Sequence, residues 1–217
     1  VIRQGKGAAV DVLSFLANRW PTLIERTAEH LIIILSAMTL SVAIGLAIGI
    51  AVSFSPRAAR LVLGINGLFM TVPSLALFSL LVPVLGIGAT PAIVGLIVYT
   101  QLPIVRNVHT GLVGIDPALI EAARGMGLTE AKILWKIKLP LARPAILAGV
   151  RTATVMGIGA IAAYVGAGGL GVLIFQGISR NSDAMVLVGA VIISAIAILT
   201  DRLIGRLGAR AAFEDTR

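Results

Sequence analysis

The sequence predicts an all-α membrane protein of about five transmembrane helices, and three observations carry that prediction. Of 217 residues, 58% are hydrophobic and only 13% are charged, about half the ~25% found in a soluble domain. Uncharged stretches of 24, 45 and 17 residues occupy 31–54, 61–105 and 184–200, against roughly 20 helical residues needed to cross a hydrocarbon core. The charge is collected between these stretches, above all in 116–140. The net charge of +8 fits basic loops on the inner side of a membrane and gives no reason to invoke a nucleic-acid partner.

Residues 1–30 precede the first uncharged stretch. Val10, Leu13, Leu16, Ala17, Trp20, Leu23 and Ile24 recur near helical spacing, with Asp11, Asn18 and Arg19 between them. An amphipathic helix on the membrane surface fits this pattern, with Trp20 at headgroup level; a disordered tail is the alternative. Charges interrupt the segment throughout, so it lacks the continuous apolar core of a signal peptide.

The first span is 31–54. Its small residues Ala43, Gly45, Ala47, Gly49 and Ala51 offer a face for close helix contact, and Arg57 and Arg60 follow it. The 45 uncharged residues of 61–105 would extend about 68 Å as one helix. They are therefore read as two spans, 61–85 and 90–106, turning at the Gly- and Pro-rich 86–91. Pro73 should kink the first of these and free a backbone carbonyl. Such a bend serves either helix packing or the lining of a solute path.

A fourth span is expected over 144–165, with Arg151 snorkelling near its inner end. Residues 166–171 formally match G-x-G-x-x-G. A dinucleotide site needs a preceding strand and an acid about 20 positions on, whereas Asp183 lies 12 positions after Gly171. The run is read instead as a glycine-rich break before a short half-buried segment, 172–178, at the outer surface. The fifth span is 184–202, and 206–217 form a basic cytoplasmic tail.

The polar segment 116–140 reads as two short helices. Asp116 can cap the first, with Pro117 at its first position. Glycine at 125 or 127 ends it, Thr129 caps the second, and Pro140 should limit that helix. Glu121-Ala122-Ala123, Gly127, Ile137 and Leu139-Pro140 together resemble the EAA motif of the permease subunits of ABC importers. The resemblance implies a type I importer permease, similar to the methionine importer in architecture. In it, a cytoplasmic helix-turn-helix docks into a cleft on an ATP-hydrolysing partner, so Glu121, Ala122, Ala123, Gly127, Ile137, Leu139 and Pro140 are the coupling residues. With that segment inside, 13 of the 18 basic residues fall on the inner side and 5 outside, placing the N-terminus outside and the C-terminus in the cytoplasm.

Two further regions, 71–78 with 102–107 and 162–171 with 179–181, are similar to permeases for glycine betaine, carnitine, choline and related quaternary amines. The family implies two permeases, identical or related, two ATPases, a separate extracytoplasmic binding protein and a bacterial cytoplasmic membrane. This chain stops soon after its last span, which is the reason to expect the binding protein as a separate chain. An amino-acid importer of the methionine type is the alternative.

The sequence offers no catalytic constellation. It has no phosphate-binding loop, so ATP and Mg belong to the partner ATPase and no cofactor is expected in this chain. His30 and His109 lack metal-ligand companions at helical spacing, and the chain has 0 cysteines. No charge is placed at the centre of an expected span, which disfavours ion-coupled transport. Met70, Ser74, Tyr99, Gln101 and Tyr164 are the candidates for lining a solute path, although helix packing would account for each of them equally well.

Overall fold

A computed structural model describes the backbone of residues 4–214 and the side chains of 12–206. Arg3, Lys6, Val10, Arg210 and Arg217 lie outside the described side chains, as does nearly all of the expected 206–217 tail. In chain order the elements are α1 (Gln4–Val52), α2 (Pro56–Thr71), α3 (Ser74–Leu85), α4 (Ala89–Val113), α5 (Pro117–Gly125) and α6 (Glu130–Ile133). A π turn (Leu134–Lys138), α7 (Leu139–Gly157), a 3-10 turn (Ala160–Val165), α8 (Gly171–Ser179) and α9 (Asp183–Glu214) complete it. No strand occurs among the described residues.

Three of these helices are long and apolar enough to cross a membrane: α1 over Val12–Val52, α4, and α9 over Asp183–Arg206. A fourth is obtained if α2 and α3 are taken as one broken span. The count of about five is therefore met only in part. α7 is the missing one: its 19 residues include Arg143 and Arg151, and it ends at Gly157 rather than continuing to 165. Gly159 is extended (φ −62°, ψ 164°) and starts the 3-10 turn. The Ile158 carbonyl left outside the helix accepts from His30 Nε2 at 3.2 Å, so irregular backbone here is satisfied by protein rather than exposed to lipid.

Other boundaries moved for equally local reasons. No break separates 1–30 from the first span, because α1 runs continuously to Val52 with Pro21 inside it. The helix continues through that position although a proline there has no N–H to donate. At Pro73 the effect is larger than a kink: α2 and α3 meet at 99°. Pro73 has φ −56° and ψ 132°, outside the helical region, and it disfavours helical geometry for Val72 before it.

The chain divides into two compact units. One draws on α1 as far as Thr39, on Val72–Val98 and on Met156–Leu199. Its core joins Leu23, Leu170, Leu173 and Val188, with Phe15, Met185 and Ile192 packed around them. Phe78 is buried there at 1% exposure against Gly95, where a Cβ would stand 2.7 Å from the ring.

The other unit comprises Leu40–Thr71, Tyr99–Val155 and α9 from Thr200 onward. Here the small-residue face of α1 is used. A Cβ on Gly45 would lie 2.5 Å from Ile104 Cγ2, and one on Gly49 would lie 2.6 Å from Val108. Ile104 and Val108 are fully buried. Gly111 and Gly149 do the same between α4 and α7, meeting Ala145 and Asn107. Burial of apolar area drives little association when the solvent is itself hydrocarbon, so close backbone approach at small residues has to supply it.

Candidate functional site: the polar helix-turn-helix

The 116–140 segment is built by capping. The Asp116 carboxylate accepts from the Ala118 N–H at 2.9 Å, and Pro117 stands at the first helical position, where no N–H is needed. α5 then closes in a Schellman motif. The Leu128 N–H reaches the Ala123 carbonyl at 3.2 Å and the Gly127 N–H reaches that of Arg124 at 2.9 Å. Gly127 adopts φ +80°, the left-handed conformation that this closure requires and that glycine takes without steric penalty.

The spacing of the motif follows from that closure. Ala123 is the residue whose carbonyl is recaptured, Gly127 is the left-handed residue four positions later, and Leu128 folds back over the helix. Ala123, Ile120 and Ile133 form the buried centre of the segment, with Ile115, Leu128 and Ile137 packed on it. Ala123 is 1% exposed, so a larger side chain there would displace Ile133. Ala122 and Glu121, by contrast, lie on the exposed side.

Thr129 caps α6 weakly, accepting from the Lys132 N–H at 3.4 Å. Arg124 Nε donates to Glu130 Oε1 at 2.6 Å and ties the two helices together. The Arg124 guanidinium holds the Glu130 carboxyl below the usual carboxylate range. A cavity of about 270 Å³ is lined by Ser53, Val113, Ile115, Glu121, Arg124 and Lys138, among others.

The expectation that Pro140 limits the second helix is overturned. The helical path continues from α6 through the π turn into α7, with the Leu139 N–H bonded to the Leu134 carbonyl five residues back. The wider π turn absorbs the proline's missing donor and the ring that would otherwise press on the preceding turn. Ile137, Leu139 and Pro140, all half-buried, therefore join the loop to α7. Trp135 and Met126, large apolar residues outside the motif positions, are 68% and 73% exposed. Met126 is the C-cap of α5, between Gly125 and Gly127, and Trp135 lies in the π turn beside Lys136.

The five solute-path candidates are distributed over both units. Met70, Tyr99 and Gln101 belong to one, Ser74 and Tyr164 to the other. Gln101 is 6% exposed; its Nε2 donates to the Ser41 carbonyl at 3.3 Å beside a Thr100–Ser41 hydroxyl pair at 2.8 Å. Tyr164 is 51% exposed and packs on Phe175 with ring centroids 6.1 Å apart. Met70, Ser74 and Tyr99 are half-buried.

The glycine run that resembled a nucleotide loop has a different reason. Glu29 Oε2 accepts from the Gly169 N–H at 2.9 Å and from Arg26 Nη1 at 2.7 Å. A Cβ on Gly168 would stand 2.7 Å from that carboxylate, and one on Gly169 would stand 3.1 Å from His30 Nδ1. Glu29 and His30 were not found by sequence reasoning, because their partners lie 140 and 128 residues away.

Among the described residues a capped, charge-bearing helix-turn-helix therefore stands between long apolar helices. Residues 41–212 match the family described as "Binding-protein-dependent transport system inner membrane component", and the chain belongs to that family. It is 40% identical to the osmoprotectant import permease protein OsmW of Salmonella typhimurium, over 91% of this chain and 95% of that one. It is 37% identical to the carnitine transport permease protein OpuCB of Listeria monocytogenes, over 90% and 91%. The choline transport system permease protein OpuBB of Bacillus subtilis is 38% identical over 88% of each. Among solved structures, the MetNI methionine ABC transporter in an inward-facing form superposes with a TM-score of 0.79 at 27% identity, covering 87% of this chain and 95% of that one.

Proposed function

We propose that this chain is the transmembrane permease subunit of an ATP-driven importer for osmoprotectants such as glycine betaine, carnitine or choline. The observation that carries the reading is the Schellman-closed helix-turn-helix with Ala123 at its buried centre and Gly127 at its left-handed turn. Glu121, Ala122, Ala123, Gly127, Ile137, Leu139 and Pro140 couple it to an ATPase subunit, one of two in the assembly that carry ATP and Mg. The exposed Trp135 and Met126 supply apolar anchors for that dock. The chain works beside a second permease, identical or related, in the bacterial inner membrane, and a separate extracytoplasmic binding protein delivers solute.

The substrate group rests on the named relatives, which are permeases for osmoprotectants, carnitine and choline. Met70, Ser74, Tyr99, Gln101 and Tyr164 line the path in this reading. The second reading, a methionine-type importer, is favoured by the 27% identity to the MetNI structure. The deciding experiment reconstitutes the chain in lipid with the ATPase and binding protein encoded beside it. ATP hydrolysis is then recorded with glycine betaine, carnitine, choline and methionine. Stimulation by a quaternary amine is expected; stimulation by methionine alone transfers the assignment to the second reading, and absence of a bound ATPase ends both.

A further inference from the structure

We propose that Arg151 and Asp201 form a positioning clamp that makes α9 move with the coupling loop. Arg151 Nη2 donates to Asp201 Oδ2 at 2.6 Å, and Nε donates to Asp201 Oδ1. This two-pronged match of a planar guanidinium with a carboxylate fixes orientation as well as distance. Gly205, one turn beyond Asp201, completes the seat: a Cβ there would meet the guanidinium at 3.6 Å, ordinary contact, whereas a longer side chain would displace it. Arg202 and Arg206 follow Asp201 in α9, yet it is Arg151 of α7 whose guanidinium takes up the Asp201 carboxylate.

The placement gives the pair its role. α6, the π turn and α7 form one unbroken helical path from Glu130 to Gly157, so a displacement of the loop is delivered along α7. Arg151 lies 13 residues beyond Lys138 on that path, about 20 Å at helical rise. There it holds α9, which is itself continuous over Asp183–Glu214. Without the clamp, α7 can respond to the ATPase while α9 stays behind. Arg151 and Asp201 touch neither the dock nor the proposed path residues in this scheme and act through α7 and α9.

This inference rests on the coupling reading above, and its test separates the two. The reconstituted transporter is assayed for solute taken up per ATP hydrolysed, with wild type, Arg151→Gln, Asp201→Asn, Arg151→Lys and the exchanged pair Arg151→Asp/Asp201→Arg. The single neutral variants should hydrolyse ATP but lose roughly threefold or more in uptake per ATP, the size expected for directly paired residues. Arg151→Lys, which keeps the charge without the fork, should fall between. The exchanged pair should recover part of the ratio. Unchanged ratios in every variant beside a coupled wild type overturn the clamp alone. So does an exchanged pair no better than the single variants, or a Lys variant as poor as Gln. A wild type whose hydrolysis does not respond to solute and binding protein overturns the importer reading, and the clamp with it.

Discussion

Gly127 is the residue on which the loop turns. Its φ of +80° and the open space around its Cα separate two effects that a substitution would otherwise mix. Alanine there meets no neighbour, so its penalty is backbone strain alone, about 1–2 kcal/mol, and asparagine, which tolerates the left-handed region, should lose less. Thermal unfolding of purified Gly127→Ala and Gly127→Asn should follow that order. Gly127→Asp adds a charge to the surface proposed to face the ATPase. It should insert and retain most of its stability while losing ATP-driven uptake; normal uptake would remove Gly127 from the coupling role.

The Arg124–Glu130 pair makes a pH prediction at the same scale. The Arg124 guanidinium lowers the Glu130 carboxyl from its ordinary 4.5, so the folded loop binds the proton less readily than the unfolded chain. The contribution is therefore complete above that ordinary value and is lost as pH falls through the lowered folded one. Both side chains are exposed, which keeps it small. Protection against amide exchange over 117–133, taken relative to the intrinsic rate at each pH, should fall at acid pH in wild type, and Glu130→Gln should already show the lower protection at neutral pH. Equal exchange at neutral pH in the two proteins would show that the pair does not hold the loop.

Helix contacts belong to the next scale. Gly49 of α1 lies against Val108 so closely that an added methyl would sit 2.6 Å from it. Gly49→Ala should destabilise the α1–α4 packing by roughly 1–3 kcal/mol, read as a lowered melting temperature in detergent, whereas Gly64→Ala, in open space, should not lower it. The existence of such a face was legible in the 43–51 run of small residues. The neighbour it meets was not, because nothing local to α1 specifies Ile104 and Val108.

The elements divide along the same line. Asp116, Pro117, Gly127 and Thr129 wrote the caps of α5 and α6 into the sequence, since capping acts over three or four residues. Pro140 misled because its effect depends on the geometry of the turn that receives it, and a π turn accommodates it. α7 ended at Gly157 because His30, far away in the chain, takes the carbonyl that the helix releases.

For the whole molecule, the outstanding expectation is orientation, with the loop inside and the turn at 180–183 outside. The chain has 0 cysteines, so single cysteines can be read without background. Cysteine at Ala118 should react with a membrane-impermeant thiol reagent only from the cytoplasmic side of the membrane. Cysteine at exposed Asn181 should react only from the opposite side. The reverse pattern would contradict the distribution of basic residues.

What the sequence determined by itself was whatever rests on composition and short-range chemistry. Apolar runs made it a helical membrane protein, and caps and a left-handed glycine made the polar loop a helix-turn-helix. Only the tertiary structure decided what each irregular stretch answers to. Gly168 and Gly169 are shaped by Glu29 and His30, the bend at Pro73 reaches 99°, and Arg151 is paired with Asp201, 50 residues on. A cap is a bond between near neighbours, so its residues announce it. A carboxylate waiting for a backbone N–H or a guanidinium looks the same in sequence as any other acid until the fold brings its partner to it.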